Sequence, residues 1–326
     1  MRYVPLGRTG LRVSRICLGT MNFAWQIGEP ESHTILDRAL DAGVNFVDTA
    51  NMYGRETGDG LSEQFIGSWF ERSGARDKVV LATKVYQPMS DWPNDGGLSA
   101  RHLIASCDAS LRRLRTDWID LFQLHHIQRE TPWEEIWQAL ETLTTQGKIR
   151  YAGSSNFAGW HLARAQAAAD ARHYLGLVSE QAKYNLLTRH VELEVLPAAR
   201  DLGIGVLAYS PLHFGALSGA LRKQREGAAG RSVLHAPERV EPHRAAIEEF
   251  EKLCAALGQE PTTVALAWLL SRPGVTAPVI GPRTAAQLDL PLLALETDLS
   301  PETLDELDRI FPPVGNGGPG PEAWAW

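Results

Sequence analysis

Eight short runs of apolar and β-branched residues recur along the chain, at 16–20, 44–50, 79–85, 118–126, 149–157, 177–185, 204–212 and 277–282. Amphipathic stretches lie between them, at 32–42, 62–72, 99–114, 132–146 and 261–271. Several open on Ser or Pro, which cap or initiate helices, and some close near a glycine such as Gly43 or Gly147. Strands that alternate with helices pair in parallel through right-handed crossovers, because a tight turn cannot return a parallel strand. Two architectures satisfy this: a doubly wound open sheet and a closed (β/α)8 barrel. An open dinucleotide-binding sheet carries G-x-G-x-x-G after its first strand. The corresponding turn here reads Leu18-Gly19-Thr20-Met21, and no Pro/Gly-rich linker splits the chain. The pattern therefore predicts one α/β domain over residues 1–326, a (β/α)8 TIM barrel opened by a β-hairpin around Gly7-Arg8-Thr9-Gly10.

Composition narrows the function classes. The net charge of -7, from 32 basic and 39 acidic residues, argues against a nucleic-acid groove while leaving room for one local basic pocket. Cys17, Cys107 and Cys254 are scattered without metal-ligand spacing, the pattern of reduced thiols rather than of a disulfide framework. The amino terminus lacks an uninterrupted apolar h-region, and no run approaches the length of a membrane span. The expectation is a cytoplasmic protein with neither a membrane nor a nucleic acid as partner. Two segments break the rhythm: a turn-rich loop at 87–98 and a Gly-, Ala- and Arg-rich stretch at 213–242 without clear pattern. In a barrel both fall at the carboxyl-terminal mouth, where long loops build active sites.

The polar residues at the ends of the strand runs are the ones to weigh. They are Asp48 and Tyr53 after the second run, Lys84 in the third, and His125 with His126 in the fourth. Ser155 and Asn156 follow in the fifth, Gln181 in the sixth, and Tyr209 with Ser210 in the seventh. Each alone has an ordinary structural reading: Asp48 as a turn cap, Lys84 snorkelling, His125 as a hydrogen-bonded core residue. Converging on one mouth they are harder to dismiss, since each unpaired buried charge costs several kcal/mol. A free phenol titrates near 10, and an adjacent ammonium favours the tyrosinate by about 1–3 units. Lys84 is thus expected to lower the Tyr53 pKa, with Asp48 holding Lys84 charged and in place. A neutral His125 would donate a hydrogen bond to a substrate oxygen. No H-x-x-x-H or C-x-x-C spacing supports a metal, and only one acidic residue stands out where a glycosidase needs two.

The motifs LGTMNF at 18–23, GVNFVDTANMYG at 43–54, LATKV at 81–85 and DLFQLHH at 120–126 occur in order. GKIRYAGSSNF at 147–157, EQAKYN at 180–185, LAYSPL at 207–212 and VIGPR at 279–283 complete the series. Together they resemble the aldo-keto reductase family, and the loop at 87–99 with the ending PEAWAW is similar to its bacterial branch. The resemblance implies a (β/α)8 barrel that reduces an aldehyde or ketone to an alcohol with NADPH (NADP+ as product), bound extended without a Rossmann domain. It also implies the catalytic set Asp48, Tyr53, Lys84 and His125, the same four that the physical argument assembles.

Carried across by position, the resemblance puts Ser155, Asn156 and Gln181 on the nicotinamide carboxamide and Tyr209 against its ring. Gly19, Thr20, Met21 and Asp48 line the route into the barrel. Ser210, Pro211 and Leu212 meet the pyrophosphate, with Gly219 in the loop beyond, and Gly281, Arg283 and Gln287 complete the cofactor set. Arg283 would hold the phosphate on the adenine ribose, helped by a helix beginning within 284–290. Phe23, Trp25, Tyr86, Trp92 and His126 are expected at the walls of a pocket for a small-molecule carbonyl substrate. Two departures stand out: Ala220 follows Ser218-Gly219 where many relatives have a lysine, and Leu290-Pro291 replaces a Glu-Asn pair at the adenine end. Two other functions fit a barrel with these residues. One is a lyase forming a Schiff base on Lys84; the other is a cofactor-binding interaction subunit, like potassium-channel β subunits.

Overall fold

A computed structural model describes residues 1–54, 60–227 and 240–314. Strands β1 (Tyr3–Pro5) and β2 (Arg12–Ser14) pair antiparallel as the expected hairpin. Eight parallel strands then close a barrel: β3 (Cys17–Gly19), β4 (Phe46–Asp48), β5 (Val80–Val85), β6 (Ile119–Leu124), β7 (Ile149–Ser155), β8 (Leu177–Lys183), β9 (Gly205–Tyr209) and β10 (Val275–Ile280). Closure comes from β10 pairing with β3, with Val279 opposite Cys17. Each barrel strand lies within one of the eight sequence runs except β10, which begins two residues early. The strands are buried on both faces because side chains fill the interior and helices cover the outside.

The interior packing explains the hairpin. Cys17, Phe46, Ala82, Leu121, Val178, Leu207 and Ala277, one residue from each of seven barrel strands, form a buried cluster with Leu6 and Val13 of the hairpin segment. The hairpin therefore plugs the end of the barrel opposite the strand carboxyl ends. Its turn passes so close to the barrel floor that a Cβ on Gly7 would lie 2.5 Å from the Val178 carbonyl oxygen, and Gly7 has φ +54°. Only glycine fits there.

The helices follow their start signals, with one instructive shift. Helix α3 (Ala100–Leu114) begins at Ser99, whose hydroxyl accepts from the His102 amide at 3.3 Å. Helix α1 (Glu29–Asp41) starts before the predicted residue 32, because Gly28 and Pro30 open the turn. The Ser32 hydroxyl instead donates back to the Gly28 carbonyl at 2.8 Å. Helices α2 (Leu61–Ser73), α4 (Trp133–Thr145) and α5 (Gly159–Asp170) fill the crossovers that follow β4, β6 and β7.

The stretch 213–242 is more ordered than its composition suggests. Within it are a 3-10 turn (His213–Gly215), a short helix (Ala220–Arg225) and a second 3-10 turn (Glu241–His243); residues 228–239 lie outside the described residues. The short helix is capped from a distance: Glu251 accepts from the Leu221 and Arg222 amides at 2.8 Å each. A cap supplied from another helix leaves no local signal. The segment 284–290 also differs from expectation, opening as a 3-10 turn (Ala285–Leu288) before a short helix (Asp289–Leu293). Its dipole is correspondingly smaller. Among the described residues no single helix is long and apolar enough to cross a membrane.

Candidate active site

Asp48 closes β4 and Lys84 sits in β5, so the parallel pairing sets both at the carboxyl-terminal end of adjacent strands. Lys84 is completely buried, and its Nζ donates to Asp48 Oδ1 at 2.5 Å, to the Thr49 carbonyl at 2.8 Å and to Tyr53 Oη at 3.2 Å. Tyr53 lies on the turn after β4, fixed by its amide donating to the Ala50 carbonyl at 3.2 Å. His125 follows β6, with its ring edge-on to the Tyr53 ring and 6.1 Å between centroids. All four residues of the quartet thus meet at one point.

Asp48 has a second set of partners. Its Oδ2 accepts from Gln181 Nε2 and from Gln123 Nε2, each at 2.9 Å. Gln123 was absent from the sequence expectations. The available signal was strand alternation, which puts Gln123 on the same face of β6 as Leu121 and His125.

The ionisation of Tyr53 departs from expectation. Burial raises its phenol above the ordinary value, the Lys84 ammonium pulls it down, and Asp48 pushes it up again. The net direction is upward. Asp48 lies so close to the ammonium that it cancels much of the field that would favour tyrosinate. For Lys84, burial acts to lower the pKa, but Asp48 and Tyr53 outweigh it and the net shift is upward. The lysine is held charged and the phenol is held protonated.

Above the quartet opens a cleft of about 790 Å³. Asp48, Tyr53, His125, Ser155, Asn156 and Gln181 line its base and one wall. Ser155 Oγ donates to the Gln181 carbonyl at 2.8 Å, and Asn156, in the left-handed region at φ +61°, accepts at Oδ1 from Tyr209 Oη at 2.9 Å. Tyr209, Ser210, Pro211 and Leu212 continue the wall beyond β9. Gly19, Thr20 and Met21 line the opposite side, where a Cβ on Gly19 would lie 2.7 Å from Val279 Cγ1. Gly281, Arg283 and Gln287 line the far end, where Gln287 Oε1 accepts from the Arg283 amide at 2.8 Å. The Arg283 guanidinium has no acidic partner among the described residues. Leu290 and Pro291 give this end an apolar face, and Lys223 brings an ammonium whose Nζ donates to the Ser218 carbonyl at 2.6 Å.

Several expected residues lie elsewhere. Phe23 is fully buried in the core rather than at a pocket wall, because a turn ties its amide to the Thr20 carbonyl and bridges it to Ile27. The same turn leaves Met21 and Trp25 facing the cleft. The Tyr86 and His126 rings pack against one another, tilted by 38° with 5.4 Å between centroids, and are not part of the cleft wall; Trp92 is 77% exposed on the loop after β5. Gly219 is also outside the wall, although Ser218 and Ala220 on either side are in it.

Glu180, next to Gln181 on β8, is a further residue the sequence reading passed over. It is fully buried on the opposite strand face, accepting from Ser154 Oγ at 2.5 Å and from the Phe157 amide at 2.9 Å. It thereby anchors the turn that carries Ser155 and Asn156. Burial pushes its carboxyl up to about 8, with those hydrogen bonds opposing. A folded-state pKa above the unfolded one means that stability is greatest below the unfolded value and is lost as pH rises toward about 8. Unfolding titrations of wild type against Glu180→Gln should therefore converge below pH ~4, with the wild type becoming the less stable of the two by roughly a few kcal/mol near pH ~8. Parallel profiles would place the ionisation elsewhere.

With this geometry in place, comparison with known proteins settles the family. A family model described as Aldo/keto reductase family matches residues 15–311. The chain belongs to the aldo/keto reductase family. A Bacillus subtilis (strain 168) relative named Uncharacterized oxidoreductase YrpG is 53% identical over 332 residues, covering 100% of both chains. Versiconal hemiacetal acetate reductase of Aspergillus parasiticus is 33% identical, over 96% of this chain and 98% of its own. A probable voltage-gated potassium channel subunit beta of Oryza sativa subsp. japonica is 31% identical, over 95% of this chain and 96% of its own. The protein is an NAD(P)H-dependent aldo-keto reductase, a carbonyl-reducing oxidoreductase.

Proposed function

We propose that this reductase converts an aldehyde or ketone to an alcohol with Tyr53 as proton donor, and that NADPH is its preferred reductant. The observation that carries the reading is the Lys84 ammonium, wholly buried and bridging Asp48 and Tyr53 at the base of the cleft. A buried ion pair aimed at a phenol is costly to maintain for packing alone.

The residues present suit a nicotinamide dinucleotide phosphate. Ser155, Asn156 and Gln181 offer amide and hydroxyl groups beside the quartet, Tyr209 offers a ring face, and Arg283 offers a guanidinium that no described carboxylate claims. When bound, the reduced nicotinamide supplies the hydride. The protein's own part concerns the oxygen. A phenol whose pKa is not lowered is protonated at neutral pH, so Tyr53 Oη holds the proton that the developing alkoxide takes up. Lys84 then stabilises the tyrosinate left behind, and Asp48 keeps the ammonium from drifting. His125, edge-on to Tyr53, orients the carbonyl oxygen between them. Met21 and Trp25 add apolar surface to the cleft, which suits a carbonyl compound with an apolar or aromatic body. A panel of aldehydes, quinones and ketosugars, followed by loss of NADPH absorbance, tests the reading. Turnover of at least one class is expected, and silence across all of them overturns it.

Selectivity for NADPH rests on Arg283. The two cofactors differ by one phosphate on the adenine ribose, and a guanidinium holds a phosphate through two parallel charge-assisted bonds. Arg283→Ala should cost NADPH binding roughly 1.5–3 kcal/mol while leaving NADH almost untouched. Dissociation constants for both cofactors in both proteins read this directly. Equal losses, or none, would assign the phosphate to another group.

A further inference from the structure

The two amide donors on Asp48 Oδ2 are not equivalent. Gln181 lines the cleft, whereas Gln123 is fully buried beneath it, two residues before His125 on the same face of β6. The orientation of the Gln123 side chain follows from its partner, since only an NH2 group can approach a carboxylate at 2.9 Å. Its Oε1 consequently points away, buried and without a hydrogen-bond partner among the described residues. An unpartnered buried carbonyl costs about 1–3 kcal/mol. Apart from its strand backbone, the only polar contact among the described residues that offsets this cost is the bond to Asp48.

We propose that Gln123 is a positioning residue of the proton-donor site, clamping Asp48 so that Lys84 stays within reach of Tyr53. The proposal rests on the reading of Tyr53 as the donor and goes beyond it to a residue that touches neither substrate nor cofactor. A carboxylate is rigid, so pinning Oδ2 fixes where Oδ1 stands. Oδ1 fixes Lys84 Nζ at 2.5 Å, and Nζ reaches Tyr53 Oη at 3.2 Å. Gln181 is the donor that a bound carboxamide competes for, because it is at the cleft wall. Gln123 is out of the ligand's reach and holds Asp48 throughout the reaction.

Two substitutions test this, each with a readout that simple packing would not move. Gln123→Met keeps the volume and removes the donor. Turnover should fall roughly tenfold, with NADPH affinity essentially unchanged. Tyr53 should also ionise at higher pH, because its ammonium partner is less well placed. That ionisation is read without turnover, as tyrosinate absorbance in each background minus the same background carrying Tyr53→Phe. In Gln123→Glu, a protonated carboxyl still donates to Asp48, whereas an ionised one repels it. This variant should approach wild-type turnover at the acid end of the profile and fall increasingly below it as pH rises.

An unshifted Tyr53 ionisation in Gln123→Met overturns the proposal whatever the turnover. If that variant does not fold, a Gln123→Glu profile that parallels the wild type at every pH overturns it instead. Full turnover in Tyr53→Phe would defeat the proton-donor reading itself, while the ionisation measurement would still report whether Gln123 acts on Tyr53.

Discussion

Replacing Tyr53 with phenylalanine removes one oxygen atom and should lower kcat by roughly two orders of magnitude or more, the range that general-acid catalysis contributes. Cofactor affinity should hardly change, because the ring remains and the hydroxyl is bonded to Lys84 rather than to a group expected to touch cofactor. The loss belongs to the chemical step, so kcat and kcat/KM should fall together. Steady-state kinetics alongside a cofactor binding titration separate this from a binding defect. Wild-type turnover in the variant would exclude Tyr53 as the acid.

Lys84→Met should be nearly as severe, for a different reason. Turnover is expected to fall roughly 10- to 100-fold, the worth of a charge-assisted hydrogen bond. Stability should fall by about 3–5 kcal/mol, since Asp48 is left buried without its cation. The pH dependence carries the sign. Alcohol oxidation needs tyrosinate as the base, so its rate rises as pH rises through the Tyr53 pKa. Burial and Asp48 already raise that pKa and Lys84 alone opposes them. Removing the lysine should move the rise to still higher pH. An unmoved profile with full activity would make Lys84 structural. Lys84→Arg should also be poor, because a planar fork does not fit where a compact ammonium meets three oxygens at 2.5, 2.8 and 3.2 Å.

The barrel was legible because its strands are buried on both faces and read as short, continuous apolar runs. Asp48 and Lys84 stood out for the same reason, as charges inside such runs. What stayed hidden depended on contacts between distant segments. Gln123 reads as an unremarked polar residue until the β4 carboxylate is seen two strands away, 2.9 Å from its amide. Phe23 sits between Met21 and Trp25, both at the cleft, and only the bridge to Ile27 turns it into the core. The helix Ala220–Arg225 owes its amino-terminal cap to Glu251, thirty residues on. The direction of the Tyr53 shift was misjudged because residue identities reveal the neighbouring ammonium but neither the burial of the phenol nor how tightly Asp48 holds that ammonium.

The most direct measurement of the central claim is label transfer. NADPH carrying deuterium at both positions of the reactive ring carbon, so that either face delivers the label, is mixed with enzyme and a responsive carbonyl compound, and the alcohol is examined for its position. Deuterium is expected on the former carbonyl carbon, one per NADPH consumed, with the rate of its appearance cut roughly a hundredfold or more in Tyr53→Phe. Cofactor that binds tightly but transfers no deuterium to any carbonyl, or transfer at an equal rate in both proteins, would contradict it.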